Sequence, residues 1–97
     1  MSTTDNYIIN AVCDYYNISS DDLLSKSRFK TFAIPRHMEI FLLREIGGAF
    51  YRDIAKLFNR HHATITASHS YIAGLLDIKH KRTVREVAEL TEIIRSI

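Results

Sequence analysis

A short polar run in the second half of the chain carries residue types that can read a DNA duplex. Residues 60–64 are Arg-His-His-Ala-Thr and lead into an apolar pattern that predicts a helix. The first turn of a helix in the major groove meets base edges, while its backbone N–H groups point at phosphate. Arg60 can bind phosphate or guanine, and the Thr64 hydroxyl can bond to a phosphate or a base. His61 and His62 offer ring N–H groups and flat faces for a thymine methyl, so the run is a candidate set of DNA contacts.

Upstream of this run, basic charge is concentrated in one segment. Residues 26–36 contain four Lys or Arg and no acidic residue, although the net charge is only +2, and they are predicted to form an ordered loop. A basic segment near a recognition helix can reach the adjacent minor groove, so Arg28 is a candidate minor-groove contact. Lys30, Arg36 and Arg44 are candidates for phosphate. Arg36 and Arg44 are eight residues apart on one predicted helix, which separates them by about 80° around its axis, and they are predicted to clamp the DNA backbone together.

Helices are predicted to position these residues. Apolar residues recur at spacings of three and four, and the sequence contains neither the Asn-Gly nor the Asp-Gly turn typical of hairpins. With 97 residues, 46% of them hydrophobic, the chain is predicted to form one small all-α domain over residues 1–97. The expected architecture is a compact bundle of about five to six helices.

Apolar spacing and capping residues predict where each helix begins and ends. Ser20 or Asp21 is expected to cap the second helix, and Pro35 to begin the third. Asn59 is expected to join the fourth and fifth helices, which predicts a helix-turn-helix over about residues 50–76. The predicted helices span about residues 5–16, 21–25, 35–46, 51–58, 60–76 and 83–96.

The other chemistry-bearing residues do not form a recognisable site by spacing. The five histidines include no HExxH motif, and Cys13 is the only cysteine, so neither a metal nor a cofactor is expected. Cys13 is predicted to be buried, and His69 to lie at the edge of the core with a backbone hydrogen-bond partner. No nucleophile with a placed base is recognisable, so the chain is not predicted to be an enzyme.

Membrane and targeting signals are absent from the sequence. No apolar run approaches the roughly 18 residues of a membrane span, and the N-terminal residues lack the basic and apolar regions of a signal peptide. We expect a cytoplasmic, nucleoid-associated protein with no membrane partner.

Five segments of the chain resemble, in order and spacing, the C-terminal DNA-binding domain (domain IV) of the bacterial replication initiator DnaA. They are Asp-Leu-Leu-Ser-Lys (22–26), Pro-Arg-His-Met (35–38), Leu-Arg-Glu-Ile (43–46), Asp-Ile-Ala-Lys-Leu-Phe (53–58) and Arg-His-His-Ala-Thr-Ile (60–65), and residues 8–18 are similar too. The resemblance implies a Trp-repressor-like helical domain that reads a short asymmetric duplex site as a monomer. It implies base contacts from Arg60, His61, His62, Ala63 and Thr64, a minor-groove contact from Arg28, and backbone contacts from Lys26, Lys30, Arg36, His37 and Arg44.

The chain departs from the family signature, Arg-Asp-His-Thr-Thr-Val, at two base-contacting positions. His61 stands where the family has aspartate, Ala63 stands where it has the first threonine, and the single Asn59 replaces a two-glycine turn. Aspartate accepts a hydrogen bond from cytosine, whereas neutral histidine can donate or accept and alanine can only touch a methyl. Each altered contact is worth about 1 to 3 kcal/mol, so we expect a preferred site different from the family's usual one.

The resemblance implies one function and leaves one alternative. The expected function is sequence-specific binding of double-stranded DNA in replication initiation or its control, with other replication or regulatory proteins as further partners. The GxxxxGK(S/T) loop of the family's ATPase module is absent, so no nucleotide is expected to bind. The chain is then expected to be either an excised domain or a stand-alone protein, and the divergent signature and the start at Met1 favour the stand-alone protein. The alternative is a helical protein-protein interaction module that has lost DNA binding and uses exposed aromatic residues such as Phe50.

Overall fold

The structure, a computed structural model, describes residues 3–25 and 30–96. Over these residues the chain forms six α-helices and no β-strand, which confirms the predicted all-α fold. The helices are α1 (Thr3–Tyr16), α2 (Ser20–Leu24), α3 (Lys30–Glu45), α4 (Tyr51–Phe58), α5 (His62–Asp77) and α6 (Lys81–Arg95).

Two asparagines in the left-handed conformation end helices, and one of them, Asn59, is the residue predicted to form a turn. Asn17 has a φ of 56° and ends α1, where the N–H of Ile18 donates to the carbonyl of Cys13 at 3.0 Å. Asn59 has a φ of 51° and ends α4. Asparagine tolerates this backbone conformation because its short polar side chain can hydrogen-bond locally.

The start of α2 differs by one residue from the prediction. Ser19 is the N-cap, and its Oγ accepts a hydrogen bond from the N–H of Asp22 at 3.1 Å. The predicted caps, Ser20 and Asp21, are instead the first two helical residues. Ser19 has the extended backbone that an N-cap requires, and the acidic residues that follow it lie where the helix dipole favours negative charge.

α3 begins at Lys30, five residues before Pro35. The prediction of a loop over residues 26–36 is therefore wrong from Lys30 onward, and Pro35 lies inside the helix rather than in its first turn. A proline this near the helix start removes only one backbone hydrogen bond, because it lacks the N–H donor. Phe32 and Ile34 are half-buried, and their burial stabilises the additional turn. The sequence analysis missed this turn because it took Pro35 as the start of the helix.

α3 is the central helix and packs on α1, α2, α4 and α5. Its side chains Met38, Leu42 and Leu43 are buried in a core that all the helices share. Each such side chain contributes about 1.5 to 3 kcal/mol through burial. The other deeply buried apolar residues are Ile8, Val12, Leu23, Ile54, Phe58, Ile65, Ile72 and Leu90. This core holds α4 and α5 against α3 and so orients the helix-turn-helix.

α6 packs on α1 and α5, and two tyrosines of α1 attach to its acidic side chains. The hydroxyl of Tyr15 donates to the carboxylate of Glu89, and the hydroxyl of Tyr16 donates to that of Glu86, both at 2.5 Å. Burial and the bond to Glu86 raise the pKa of Tyr16, so this phenol stays protonated and remains a donor.

Cys13 is buried, as predicted, and burial raises the pKa of its thiol. In the part of the chain that the structure describes, no helix is both long and apolar enough to cross a membrane. Over the same residues, no three His, Cys, Asp or Glu side chains gather as the ligands of a metal ion would.

Candidate nucleic-acid interface

α4 and α5 form the predicted helix-turn-helix. α4 spans Tyr51–Phe58, as the sequence predicts, and Asn59 turns the chain after it. The N–H of Arg60 donates to the carbonyl of Ala55 at 3.0 Å, which closes the turn. α5 then spans His62–Asp77, and it directs three buried side chains to the core, Ile65, Ser68 and Ile72.

The first turn of α5 is exposed to solvent. His61 precedes the helix with an extended backbone (φ −67°, ψ 148°) and serves as its N-cap residue. His61, His62, Ala63 and Thr64 are all exposed, and the turn contains no acidic residue. The first backbone N–H groups of a helix have no intrahelical acceptor, and the helix dipole makes this end electropositive. Four of the five predicted base contacts therefore share one exposed, electropositive turn.

Arg60, the fifth predicted base contact, points elsewhere. Its side chain is half-buried, and Nη2 lies 3.5 Å from the carbonyl oxygen of Ser25. Its Nε is buried and has no hydrogen-bond partner among the described residues. Arg60 therefore faces the end of α2, from which the chain leads into the basic segment, and not the exposed side of α5.

Arg36, a predicted phosphate contact, is buried and bonds to the end of α2. It is only 8% exposed, its Nε donates to the carbonyl of Leu23 at 2.9 Å, and Nη2 donates to Oγ of Ser25 at 3.0 Å. Burial and the positive charge of Arg60 lower the pKa of Arg36. This arrangement does not favour the predicted clamp of Arg36 and Arg44, because the guanidinium of Arg36 is bonded to residues at the end of α2.

Arg44 lies at the end of α3 that α2 does not cover. Its guanidinium carbon is 4.8 Å from the centre of the Tyr51 ring, and Nη1 donates to the carbonyl of Ala49 at 3.1 Å. These contacts hold the guanidinium beside an open groove of about 290 Å³, which we call the arginine groove. Its lining residues are Arg44, Phe50, Tyr51, Arg52 and His62. Since His62 begins α5, the groove extends from the end of α3 to the exposed turn.

Arg52 is a cationic residue of the arginine groove that the sequence analysis missed. Its guanidinium carbon lies 5.3 Å from the centre of the Phe50 ring, and Phe50 is 59% exposed. Within residues 3–25 and 30–96, no ion pair neutralises Arg44 or Arg52. The available signal was the run Phe50-Tyr51-Arg52, in which two aromatic residues and a basic one stand at the predicted start of the fourth helix. Unpaired guanidinium groups held on aromatic rings suit the phosphate backbone of a nucleic acid.

The remaining predicted DNA contacts are His37, Lys30, Lys26 and Arg28. His37 is half-buried, its ring centre lies 4.9 Å from that of Tyr71, and its Nδ1 is buried without a hydrogen-bond partner in the described part of the chain. Burial and the nearby Arg36 lower the pKa of His37, so its ring is neutral at neutral pH. Lys30 is the first residue of α3, whereas Lys26 and Arg28 lie outside the described residues.

His69 lies at the edge of the core, but its partner differs from the prediction. Its Nε2 is 3.0 Å from Oε1 of Glu45, and its ring stacks on Phe41 with the ring centres 5.1 Å apart. The expected backbone partner is wrong, because α5 packs against the last turn of α3 and brings a carboxylate within reach.

Comparison with known proteins gives one consistent result. The family described as the bacterial dnaA protein helix-turn-helix matches residues 6–72. Chromosomal replication initiator protein DnaA 1 of Chlamydia trachomatis is 30% identical over 95 residues, which cover 96% of this chain and 21% of the relative. DnaA of Caldanaerobacter subterraneus is 32% identical over 87% of this chain, and DnaA of Methylobacillus flagellatus is 33% identical over 91%; the alignments cover 19% of each. The chain thus spans about a fifth of the length of these relatives.

Proposed function

This chain belongs to the bacterial DnaA helix-turn-helix family, and from that membership we propose that it binds double-stranded DNA sequence-specifically, with α5 in the major groove. The observation that carries the proposal is the exposed first turn of α5 beside the arginine groove. A base-reading turn and a cationic groove on one side of the molecule match the division between base and phosphate contacts in DNA readers.

We assign the base contacts to the exposed turn, His61, His62, Ala63 and Thr64. Phosphates beside this turn would meet Arg44 and Arg52, whose guanidinium groups lie against aromatic rings. Because these ring contacts restrict each guanidinium before binding, less side-chain entropy is lost when a phosphate arrives.

A second set of contacts belongs to the end of α2 and the start of α3. We assign Arg28 to the minor groove, as the family resemblance implies. Arg36 positions the end of α2 and receives no DNA contact in this proposal. The proposed backbone contacts of this set are Arg60, Lys26, Lys30 and a neutral His37 that donates an N–H group.

The biological setting is proposed from the relatives. Their names describe chromosomal replication initiator proteins, and the matched part of each is about a fifth of its length. We propose that this DNA reader acts in replication initiation or its control, together with other replication or regulatory proteins.

Selection of bound sites from a randomised duplex pool, at about 150 mM salt, tests the proposal. We expect enrichment of a short asymmetric motif that differs from the family's usual site at the positions read by His61 and Ala63. With four to five phosphates neutralised, the logarithm of the affinity should fall against the logarithm of salt with a slope of about −4. A pool without enrichment, together with binding that does not respond to salt, would overturn the proposal.

One observation favours the alternative, a protein-protein interaction module. Phe50 is a large apolar side chain that is 59% exposed at the start of α4. Under this alternative the protein would show no salt-sensitive binding of duplex DNA, and a Phe50→Ser variant would lose a protein partner. Binding of the protein to duplex DNA that weakens as the salt concentration rises would instead support the DNA-binding function.

A further inference from the structure

Tyr51 lies where α3, α4 and α5 meet. Its ring centre is 5.6 Å from that of His62, with the two ring planes at 81°, and 5.8 Å from that of His69, with the planes at 75°. The guanidinium carbon of Arg44 lies 4.8 Å from the same ring centre. One half-buried ring therefore contacts a residue of the exposed turn, a residue of the core edge and a cation of the arginine groove.

His62 is a side chain that burial does not orient, because it is exposed at the first position of α5. Its ring contacts are the Tyr51 ring and the Thr66 hydroxyl, which lies 3.5 Å from Nδ1 and donates to the His62 carbonyl at 3.0 Å. An exposed ring that must meet one base edge loses rotational freedom on binding, and this loss weakens the complex. A ring already packed on Tyr51 has lost much of that freedom before DNA arrives.

Tyr51 can hold His62 because Tyr51 itself is held from the other side. The ring of His69 contacts Tyr51, stacks on Phe41, and places Nε2 3.0 Å from Oε1 of Glu45. Phe41 belongs to the buried core. A continuous series of contacts therefore leads from the core through His69 and Tyr51 to the first residue of the recognition helix.

We propose that Tyr51 is a positioning residue for base reading, which holds the His62 ring in the orientation that α5 presents to the major groove. The inference rests on the proposed function. It means that Tyr51 of α4 contributes to the sequence selectivity of α5 without itself having to touch a base.

The first test compares Tyr51→Leu with the matched control Tyr51→Phe. Leucine retains apolar volume and suits a helix, but it removes the ring, whereas phenylalanine keeps the ring and loses only the hydroxyl. The His62→Ala variant first identifies the base pair that His62 reads, as the position at which this variant loses its preference. The measured quantity is then the affinity for the selected site divided by the affinity for the same site with that base pair changed. We expect Tyr51→Leu to lower this ratio by about three- to tenfold, and Tyr51→Phe to leave it unchanged.

The second test separates positioning from a general structural effect. In a His62→Ala background, Tyr51→Leu should no longer change the ratio, because the side chain that it positions is absent. In the free protein, NMR scalar couplings should show that the His62 χ1 angle averages over more rotamers in Tyr51→Leu than in the wild type or Tyr51→Phe. This readout requires no DNA.

The outcomes distinguish the inference from the proposed function. If the wild type selects a site but Tyr51→Leu lowers the affinity for the selected and the altered duplex equally, the inference fails and the proposed function stands. Unchanged His62 χ1 couplings in Tyr51→Leu would have the same consequence. Arg44→Ala provides the reference for such a uniform loss, because a phosphate contact carries no sequence information. A wild type that selects no sequence would overturn the proposed function and this inference together.

Discussion

Two arginines eight residues apart on α3 have different surroundings, because α2 packs against α3 at Arg36 and the arginine groove lies at Arg44. Arg36 is buried and donates to the end of α2, whereas Arg44 is half-buried beside the arginine groove. Helical spacing separates them by about 80° around the axis of α3. Spacing does not predict that α2 packs over one of them.

This difference predicts that Arg36→Ala mainly lowers stability, whereas Arg44→Ala mainly lowers DNA affinity. Arg36→Ala should lower the free energy of unfolding by about 2 to 3 kcal/mol, because it removes charged donors from buried acceptors. Arg44→Ala should destabilise less, weaken binding to all duplexes alike, and reduce the magnitude of the salt slope by about 1. Urea unfolding and binding at several salt concentrations measure both quantities. A salt slope that falls in Arg36→Ala and stays unchanged in Arg44→Ala would contradict the assignment.

At the scale of the elements, the attachment of α6 to α1 depends on two neighbouring tyrosines in different surroundings. α6 lies beyond residues 6–72, which match the family model. Tyr16 donates to Glu86, which is only 4% exposed, and Arg82 donates to the same carboxylate at 2.5 Å. Tyr15 donates to Glu89, which is exposed.

Tyr16→Phe should therefore destabilise the protein more than the matched control Tyr15→Phe. Removing the Tyr16 hydroxyl leaves a buried carboxylate with one donor fewer, which costs about 1 to 3 kcal/mol. Removing the Tyr15 hydroxyl leaves an exposed carboxylate that water can solvate, at a cost below about 1 kcal/mol. Urea unfolding of both variants makes the comparison, and equal costs would show that Glu86 is not dependent on Tyr16.

At the scale of the whole molecule, the stability depends on a carboxylic acid in the centre of the bundle. Glu39 of α3 is fully buried, and both its carboxyl oxygens lack a hydrogen-bond partner in the described part of the chain. Burial, and to a smaller extent the charge of Asp5, raise the pKa of Glu39 from its ordinary value of 4.5 to about 8. At neutral pH the folded protein holds a proton on Glu39 that the unfolded chain has released.

The sign of the resulting pH dependence follows from linkage. Between the unfolded pKa of 4.5 and the folded pKa of about 8, the folded state binds more protons, so the free energy of unfolding falls as the pH rises. Across the whole window the loss is up to about 5 kcal/mol. Glu39→Gln should remove this contribution and be more stable than the wild type at pH 8.5. Urea unfolding between pH 5 and 9 gives the free energy of unfolding of both proteins as a function of pH, and the difference between the two curves is the contribution of Glu39. Parallel curves would contradict the prediction.

The amino-acid sequence by itself determined the helix-turn-helix. The bounds of α4, the turn at Asn59 and the exposure of residues 61–64 follow from apolar spacing and from the tolerance of asparagine for left-handed backbone. These are local properties, because the side of a helix that is apolar is the side that must be buried. The family resemblance added the assignment of Arg28 and the neighbouring basic residues to DNA, which stays a prediction.

Only the tertiary structure decided what each side chain does across the space between helices. The start of α3, the role of Arg36, the partner of His69 and the position of Tyr51 all depend on which helices meet at that point. The pattern along the chain specifies that a side is buried, but not which neighbour covers it or where the cover ends. The sequence pattern therefore does not show that Arg36 and Glu39 are buried whereas Arg44 lines a groove, because these differences arise only when the core forms.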